Sequence, residues 1–400
     1  MRRFQYEAKE AKTGRIIKGT IQAESKHAAG KLLVEQNYVP EKISDESEQG
    51  FLDKIQNRIT SKDKIMFSRQ FATLIGAGLP LAVSLRTVAE QTERKAMRVI
   101  VEDLLTSVES GRTLADSMAQ HPDVFNNVYL ALVRAGEASG TLDEALRRLA
   151  DQQEKDAAMI SKIRGAMIYP AIILAVIIAV LAFMMVAVVP EVENLYHDMG
   201  KQLPALTVIL VGVSKFFAQF WWLILIIVIF AVWAFLHYRK TTQGIRTMAN
   251  VKLNVPIFKK LFRLLYMSRF ANTMQMLLQT GVSMLDALKI SGQAVNNVVV
   301  EDQIKAAAEK VKGGKTLSEA LTGKDYILPL VPQMANIGEQ SGKIDEMLGR
   351  AGKVYSDELD EAIATISTMI EPILLVIMAL LIGIVIGGTL LPIYSLVSSM

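Results

Sequence analysis

The sequence predicts an all-α membrane protein with two repeated cytoplasmic helical-bundle modules, three transmembrane helices and a small N-terminal α/β domain. Three observations carry this reading. The stretch Gly136-Glu137-Ala138-Ser139-Gly140 returns as Gly338-Glu339-Gln340-Ser341-Gly342. Gly78 and Gly281 stand 203 residues apart, as do Gly111-Arg112-Thr113-Leu114 and Gly314-Lys315-Thr316-Leu317. After the Gly-Glu pair the offset is 202, with Tyr169-Pro170 matching Glu371-Pro372. Self-similarity at a fixed offset marks a duplicated structural unit. The mean hydropathy is +0.29 although 21% of the 400 residues are charged, so polarity must be segregated along the chain. Residues 165–190, 216–236 and 372–400 contain no Asp, Glu, Lys or Arg. Each run exceeds the roughly 20 residues that cross about 30 Å of hydrocarbon.

Residues 1–44 form the expected α/β domain. Phe4, Tyr6 and Ala8 alternate, as do Ile17, Gly19, Ile21 and Ala23, the period of half-buried strands. Ser25 is placed to cap a helix with Ala28, Ala29, Leu32 and Leu33 on one face. Asn37 closes that helix, and Val39-Pro40 starts a short extended segment. Residues 45–61 read as a polar linker and an amphipathic lead-in built on Phe51, Leu52, Ile55 and Ile59.

The first cytoplasmic module spans 62–164. Phe67, Phe71, Leu74 and Ile75 make an apolar stripe, and Gly78 supplies the left-handed residue that ends a helix. Leu81, Leu85 and Val88 begin a second helix, and Val99 to Val108 make a third that stops near Gly111. Thr113-Leu114-Ala115-Asp116 starts a fourth, with Pro122 beyond its end. Gly136 to Gly140 predicts a break, and Thr141-Leu142-Asp143-Glu144 has the Thr-x-x-Glu form of a capping box. A final helix runs from Leu142 to Arg164.

The remaining boundaries follow from charge and the repeat. They are a first transmembrane helix at 167–189, a short outer loop at 190–205, and a second transmembrane helix with its outer approach at 206–237. A basic cytoplasmic connector occupies 238–265, the second module 266–368, the third transmembrane helix 370–392 and an outer tail 393–400. In the second copy Gly281 closes the first helix, Thr316-Leu317-Ser318-Glu319 forms another capping box, and Pro329 and Pro332 replace Pro122.

Lys and Arg concentrate on the cytoplasmic side of spans. Lys155, Lys162 and Arg164 precede the first span, and Arg239, Lys240, Arg246, Lys252, Lys259, Lys260 and Arg263 follow the second. The segment from Glu191 to Lys201 is acidic apart from Lys201. The start, Met1-Arg2-Arg3-Phe4, lacks a signal-peptide apolar core. Together these predict a cytoplasmic N-terminus and an outer C-terminus. The third span, preceded by Asp357, Glu358, Asp360, Glu361 and Glu371, takes its direction from the other two.

Chemistry-bearing constellations are scarce. There is no cysteine, hence no disulfide scaffold and no thiolate. The net charge of +4 is explained by topology and asks for no nucleic acid. Gly313-Gly314-Lys315-Thr316 resembles the tail of a phosphate-binding loop, but position 309 is Glu309 where that pattern needs glycine. His27, His121, His197 and His237 are scattered without metal-ligand spacing, and Asp357 to Glu361 read as a solvated helix face ahead of the alternative, a divalent-cation site. No catalytic, cofactor-binding or metal-ligating residue is assigned. Glu137 and Glu339 either satisfy backbone donors at the start of the following helix or present charge to a partner. Arg112 and Lys315, cations at interhelix turns, are candidate contacts for an acidic partner surface. Ala171, Ala175 and Ala179, and Gly383 and Gly387, are small faces that let membrane helices approach closely. They serve either packing within this chain or docking of another helix. A transporter would place ionisable groups at mid-membrane depth and an enzyme would gather reactive side chains; the sequence offers neither.

The doubled Gly-Glu-x-Ser-Gly, the Gly-Arg/Lys-Thr-Leu turns, Tyr169-Pro170 and the three-span layout resemble the type II secretion F / type IV pilus PilC family. The N-terminal Phe4-x-Tyr6-x-Ala8, Gly14, Gly19, Ala23 and Ala28 resemble that family's leading domain. The resemblance covers essentially the whole chain. It implies a multi-pass protein of the bacterial inner membrane, the platform of a type IV pilus assembly machine, that is not itself an enzyme and needs no cofactor. Implied partners are a cytoplasmic hexameric assembly or retraction ATPase, pilin or pseudopilin subunits, inner-membrane alignment proteins and further copies of the chain. The same resemblance admits the platform (F) protein of a type II secretion system.

Overall fold

The computed structural model describes residues 2–10, 16–23, 30, 32, 38–45, 59–198 and 203–397. In the N-terminal segment β1 (Arg2–Glu10), β2 (Ile16–Ala23) and β3 (Tyr38–Asp45) form an antiparallel sheet ordered β2-β1-β3. Ala8 pairs with Ile17 on one side and Pro40 on the other, and its side chain is fully buried. The β1–β3 register shifts between Glu7 and Ala8, where β3 contributes a proline that has no N–H for the ladder and is tolerated at bulges and edges. The helix expected between Ser25 and Asn37 lies, apart from residues 30 and 32, outside the described residues. So does the amphipathic lead-in through Ile55.

The first module is built from α1 (Ser61–Gly76), α2 (Leu81–Gln91), α3 (Lys95–Glu109), α4 (Leu114–Met118), α5 (Asn127–Ser139) and α6 (Leu142–Phe183). α1 starts on a capping box. Thr60 N–H donates to Asp63 Oδ2 at 2.7 Å, and Asp63 N–H donates back to Thr60 Oγ1 at 3.3 Å. A π-helical turn at Met184–Val188 joins α6 to α7 (Val189–Asp198), and α8 (Ala205–Tyr238) returns through the apolar region. After α9 (Thr242–Asn254), the second module repeats the series. It comprises α10 (Pro256–Gln279), α11 (Met284–Ala294), α12 (Val298–Lys312), α13 (Leu317–Leu321), α14 (Leu330–Ser341) and α15 (Ile344–Val397).

The punctuation is duplicated down to the backbone angles. Gly78 and Gly281 have φ of 82° and 81°, Gly111 and Gly314 of 89° and 91°, and Gly140 and Gly342 of 74° and 71°. These left-handed turns are what the glycines are there for.

One hydrophobic core runs through both modules. Phe67 stacks on Phe71 at 5.5 Å and meets Phe125, while Phe270, Met274 and Leu277 fill the corresponding place in the second copy. Polar contacts tie the copies together. Asn127 Nδ2 donates to Gln293 Oε1 at 2.7 Å, Arg148 Nη1 to Gln279 Oε1 at 2.5 Å, and Lys162 Nζ to Asp360 Oδ2 at 2.6 Å.

Three helical stretches are long and apolar enough to cross a membrane: Leu142–Asp198, Thr207–Tyr238 and Ile344–Leu390. Several local expectations are corrected. The helix from Leu142 does not end before the first span but is continuous with it, with Pro170 inside, a position membrane helices tolerate. The expected outer loop at 190–205 is mostly helical. Val189, Val192 and Tyr196 bury one face of α7 against Leu203, Leu210 and Val211, which holds α7 as a helix where its acidic residues suggested a loop. The break expected over Gly136 to Gly140 narrows to its last residue. α5 runs through Ser139 and stops only at Gly140. Thr141 makes no side-chain cap; its hydroxyl lies 2.7 Å from Ser139 Oγ instead.

Candidate functional site: the glycine–glutamate clamps and the span faces

A five-residue helix such as α4 leaves most of its backbone N–H groups without internal acceptors. Thr113 Oγ1 accepts one, from Asp116, at 3.1 Å. Two more are taken from outside the helix. Glu137, on α5, places Oε1 2.5 Å from the Leu114 nitrogen and Oε2 2.9 Å from the Ala115 nitrogen. In the second copy Glu339 Oε1 accepts the Leu317 N–H, and Oε2 accepts the Ser318 N–H at 3.3 Å and its hydroxyl at 2.6 Å. Thr316 Oγ1 accepts the Glu319 N–H at 3.3 Å. A carboxylate at a helix N-terminus is favoured by both hydrogen bonding and the helix dipole.

The carboxylates therefore cap the short helix that precedes them, not the helix that follows. The two repeated motifs, Gly-Arg/Lys-Thr-Leu and Gly-Glu-x-Ser-Gly, are the two halves of one clamp. The glycine before each glutamate has its own task. A Cβ on Gly136 would lie 2.9 Å from Ala145 Cβ and 3.0 Å from Leu142 Cα, and one on Gly338 would lie 2.6 Å from Ile344 Cα. Only a bare backbone lets α5 and α14 lie against the starts of α6 and α15. The clamp also orders a charged rim. Asp116 is held below the usual carboxylate range by its bond to Thr113 and by Arg134 at 3.1 Å.

Both oxygens of Glu137 and Glu339 are thus engaged by this chain's own donors. Arg112 and Lys315, in contrast, are exposed, and neither forms an ion pair among the described residues. Gly313 and Gly314 form the turn after α12, and Thr316 caps α13, the arrangement of a turn and cap. No group of three or more His, Cys, Asp or Glu side chains is placed to hold a metal ion among the described residues.

The spans divide into packed and open faces. Ala171, Ala175 and Ala179 are all exposed, and Gly383 is exposed with no atom within 4 Å of a built Cβ. Gly387 is half-buried. Packing within the chain uses residues the sequence reading missed. Thr207 Oγ1 donates to the Gly388 carbonyl at 2.9 Å, and Ser214 Oγ donates to the Met185 carbonyl, inside the π-helical turn, at 2.5 Å. Lys215 pairs with Glu193 at 2.6 Å. Hydroxyl residues close to an apolar run were the available signal, since such side chains hydrogen-bond across helices. From 216 to 237 no residue of α8 is buried. The three spans touch at one end and leave α8 apart from the others at the end near Tyr238.

Comparison with known proteins accounts for the duplication. Residues 67–190 and 270–392 each match the family described as Type II secretion system (T2SS), protein F, and residues 1–44 match its N-terminal domain. The chain belongs to the type II secretion system protein F family. The two matched ranges each begin in the first helix of a module and end in its span, so the family's unit is the bundle together with its membrane helix. Among relatives, a type IV pilus assembly protein PilC of Thermus thermophilus is 33% identical over 405 residues, covering 99% of this chain and 98% of that protein. A type II secretion system protein F of Vibrio cholerae is 33% identical over 401 residues, covering 98% of each. A protein F of Pseudomonas aeruginosa is 30% identical over 401 residues, covering 99% of each. Protein F family chains are membrane platform proteins, and the three apolar helices of this one fit that setting.

Proposed function

We propose that this chain is the inner-membrane platform of a type IV pilus assembly machine, coupling a cytoplasmic hexameric ATPase to insertion or extraction of pilin subunits. The observation that carries the reading is near-complete coverage in both directions by a relative named as a pilus assembly protein. Equal identity to a type II secretion protein F supports a second reading, the platform of that secretion system with pseudopilins as cargo.

The fold suggests how coupling works. α15 is one helix of 54 residues, about 80 Å at 1.5 Å per residue, running from the second module through its span. α6 does the same for the first. A push on either module is delivered to the membrane without a hinge loop. The exposed cations Arg112 and Lys315 suit an acidic face of the ATPase, and the open Ala171/Ala175/Ala179 and Gly383 faces suit a pilin's apolar helix. Further copies of the chain and inner-membrane alignment proteins complete the assembly. The basic residues flanking the spans support a cytoplasmic N-terminus and an outer C-terminus. The chain performs no chemistry of its own; the ATPase supplies the energy.

The test is electron microscopy of surface fibres, with an assay of secreted proteins, in a strain lacking this chain and in the same strain with it restored. Loss of fibres on deletion and recovery on restoration is expected. Unchanged fibres with lost secretion overturn the pilus reading in favour of the second.

A further inference from the structure

The second module carries a cavity of its own near the start of its first helix. Between the first turns of α10, the loop before α14 and the middle of α15 lies a cavity of about 670 Å3. Its cations are Lys259, Lys260 and Arg263, its single acidic residue is Glu358, and Leu328 and Leu330 belong to its apolar wall. Among the described residues none of the three cations has an acidic partner. Arg263 lies over the Tyr326 ring at 5.1 Å, and its Nε is buried without a hydrogen-bond acceptor. A buried donor with nothing to donate to is costly unless an acceptor arrives. Three cations around one cavity, against one carboxylate, leave an excess of positive charge facing an apolar-walled space.

The position of the cavity selects the anion. α10 and α15 run antiparallel in close contact, with Gln275 against Gly349 and Asn272 against Gly352. Ser268 Oγ donates to the Gly352 carbonyl at 3.2 Å. Carried along both helices, this pairing sets Pro256 nearly level with Thr368, about 5 Å short of Glu371 at 1.5 Å per residue. Lys259 and Lys260 stand roughly 10 Å short of it by the same rise. Glu371 is the last charge before the third span, and the polar headgroup zone is about 5–7 Å deep on each face of the hydrocarbon. Pro256, at one end of the cavity, therefore stands near the headgroup zone, while Glu358 at the other end lies about 20 Å short of Glu371 by the same rise, and lysine stems can carry their ammonium groups toward the membrane. A basic pocket beside a span is the arrangement that captures anionic headgroups.

We propose that this cavity binds the phosphate headgroup of an anionic phospholipid. Lys259 and Lys260 are its ligands at the membrane end of the cavity, and Arg263 adds a deeper positive charge. A bound lipid would tie the second module to the membrane surface next to its span, independently of any partner protein.

The test uses the full-length protein in detergent, mixed with either phosphatidylglycerol or phosphatidylcholine. Lipid retention is counted by native mass spectrometry and thermal unfolding is followed in parallel. The intact chain is expected to retain phosphatidylglycerol with roughly tenfold preference, the scale set by a few cations near a headgroup. Lys259→Gln with Lys260→Gln, both at exposed positions without an acidic partner among the described residues, is expected to abolish most of that preference while unfolding at the same temperature in phosphatidylcholine. Lys310→Gln with Lys312→Gln, an equal charge change at exposed positions at the end of α12, is expected to keep it. Equal retention of the two lipids by the intact chain overturns the proposal, as does a preference that survives the 259/260 pair. Inorganic phosphate that protects against unfolding as well as phosphatidylglycerol overturns the assignment to lipid and leaves a free-anion site.

Discussion

Glu137 Oε1 accepts the backbone N–H of Leu114 at 2.5 Å, across 23 residues of chain. The same bond, from Leu317 to Glu339, recurs in the second copy. Each glutamate fastens a short helix, too small to hold its own N-terminus, onto the longer helix that continues the bundle. A charge-assisted hydrogen bond of this kind contributes about 1.5–3 kcal/mol. Replacing Glu137 by Ala is expected to cost about that much, and Glu137→Gln less, since the amide oxygen still accepts one N–H. The two clamps lie in different modules, so Glu339→Ala is expected to add to Glu137→Ala. Thermal unfolding of the purified variants reads both effects, and a Glu137→Ala protein as stable as the intact chain would contradict the clamp.

The neighbouring glycines give an ordered prediction. An added methyl at Gly338 meets backbone at 2.6 Å, whereas at Gly136 its nearest contact is a Cβ at 2.9 Å. Overpacking of this kind costs about 1–3 kcal/mol, and backbone yields less readily than a side chain. Gly338→Ala is expected to be the more damaging of the two when unfolding temperatures are compared. The reverse order would mean that the start of α15 shifts more easily than that of α6.

Much of this was legible in the residues themselves. The turn glycines, the three apolar runs and the duplication could be read because each is a local pattern. Thr60 and Asp63, three residues apart, spell out a capping box in the same local way. The clamp was misassigned because its target is 22–23 residues upstream of Glu137, and neighbours in space do not appear in a local pattern. Thr141 and Glu144 have the right identities for a box, but Thr141 sits at φ −110°, ψ 38°, away from the extended backbone a cap requires. In the third span, spacing alone selected Gly383 and Gly387. The carbonyl that is held is that of Gly388, and the reason is Thr207 on another helix. Val189, Val192 and Tyr196 have the helical spacing that marks α7, although the segment's acidity alone suggests a loop.

Asp156 provides a pH signature for the contact between modules. It is half-buried near Arg269, whose Nε lies 3.9 Å from its carboxylate. Burial pushes its carboxyl above the ordinary 3.8, with Arg269 and Gln152 pulling partly back. The folded chain thus keeps this proton to higher pH than the unfolded chain, so Asp156 subtracts stability as pH rises from 3.8 through its raised value. Asp156→Asn removes that titration. Its stability relative to the intact chain is expected to improve across this interval and then level off toward neutral pH. Unfolding curves collected from acid to neutral pH check this, and a difference that stays flat contradicts it.

The packing of the two modules predicts a cross-link within one chain. Lys162 and Asp360 form an ion pair at 2.6 Å, and the chain has no cysteine of its own. A Lys162→Cys, Asp360→Cys protein treated with a short bismaleimide, which alkylates both thiols, is expected to run as a compact monomer on a denaturing gel. Either single variant should be unaffected. A band at twice the mass, in place of the compact monomer, would mean that the contact is made between chains.

The most direct test of the platform account is a photo-reactive residue placed on the first span in living cells. Ala175 is exposed, whereas Ile177, two positions on, is buried at 6% exposure. The account predicts that a photo-cross-linker at position 175 captures a pilin-sized membrane protein and that one at 177 does not. No adduct at 175, or equal adducts at both positions, would contradict it.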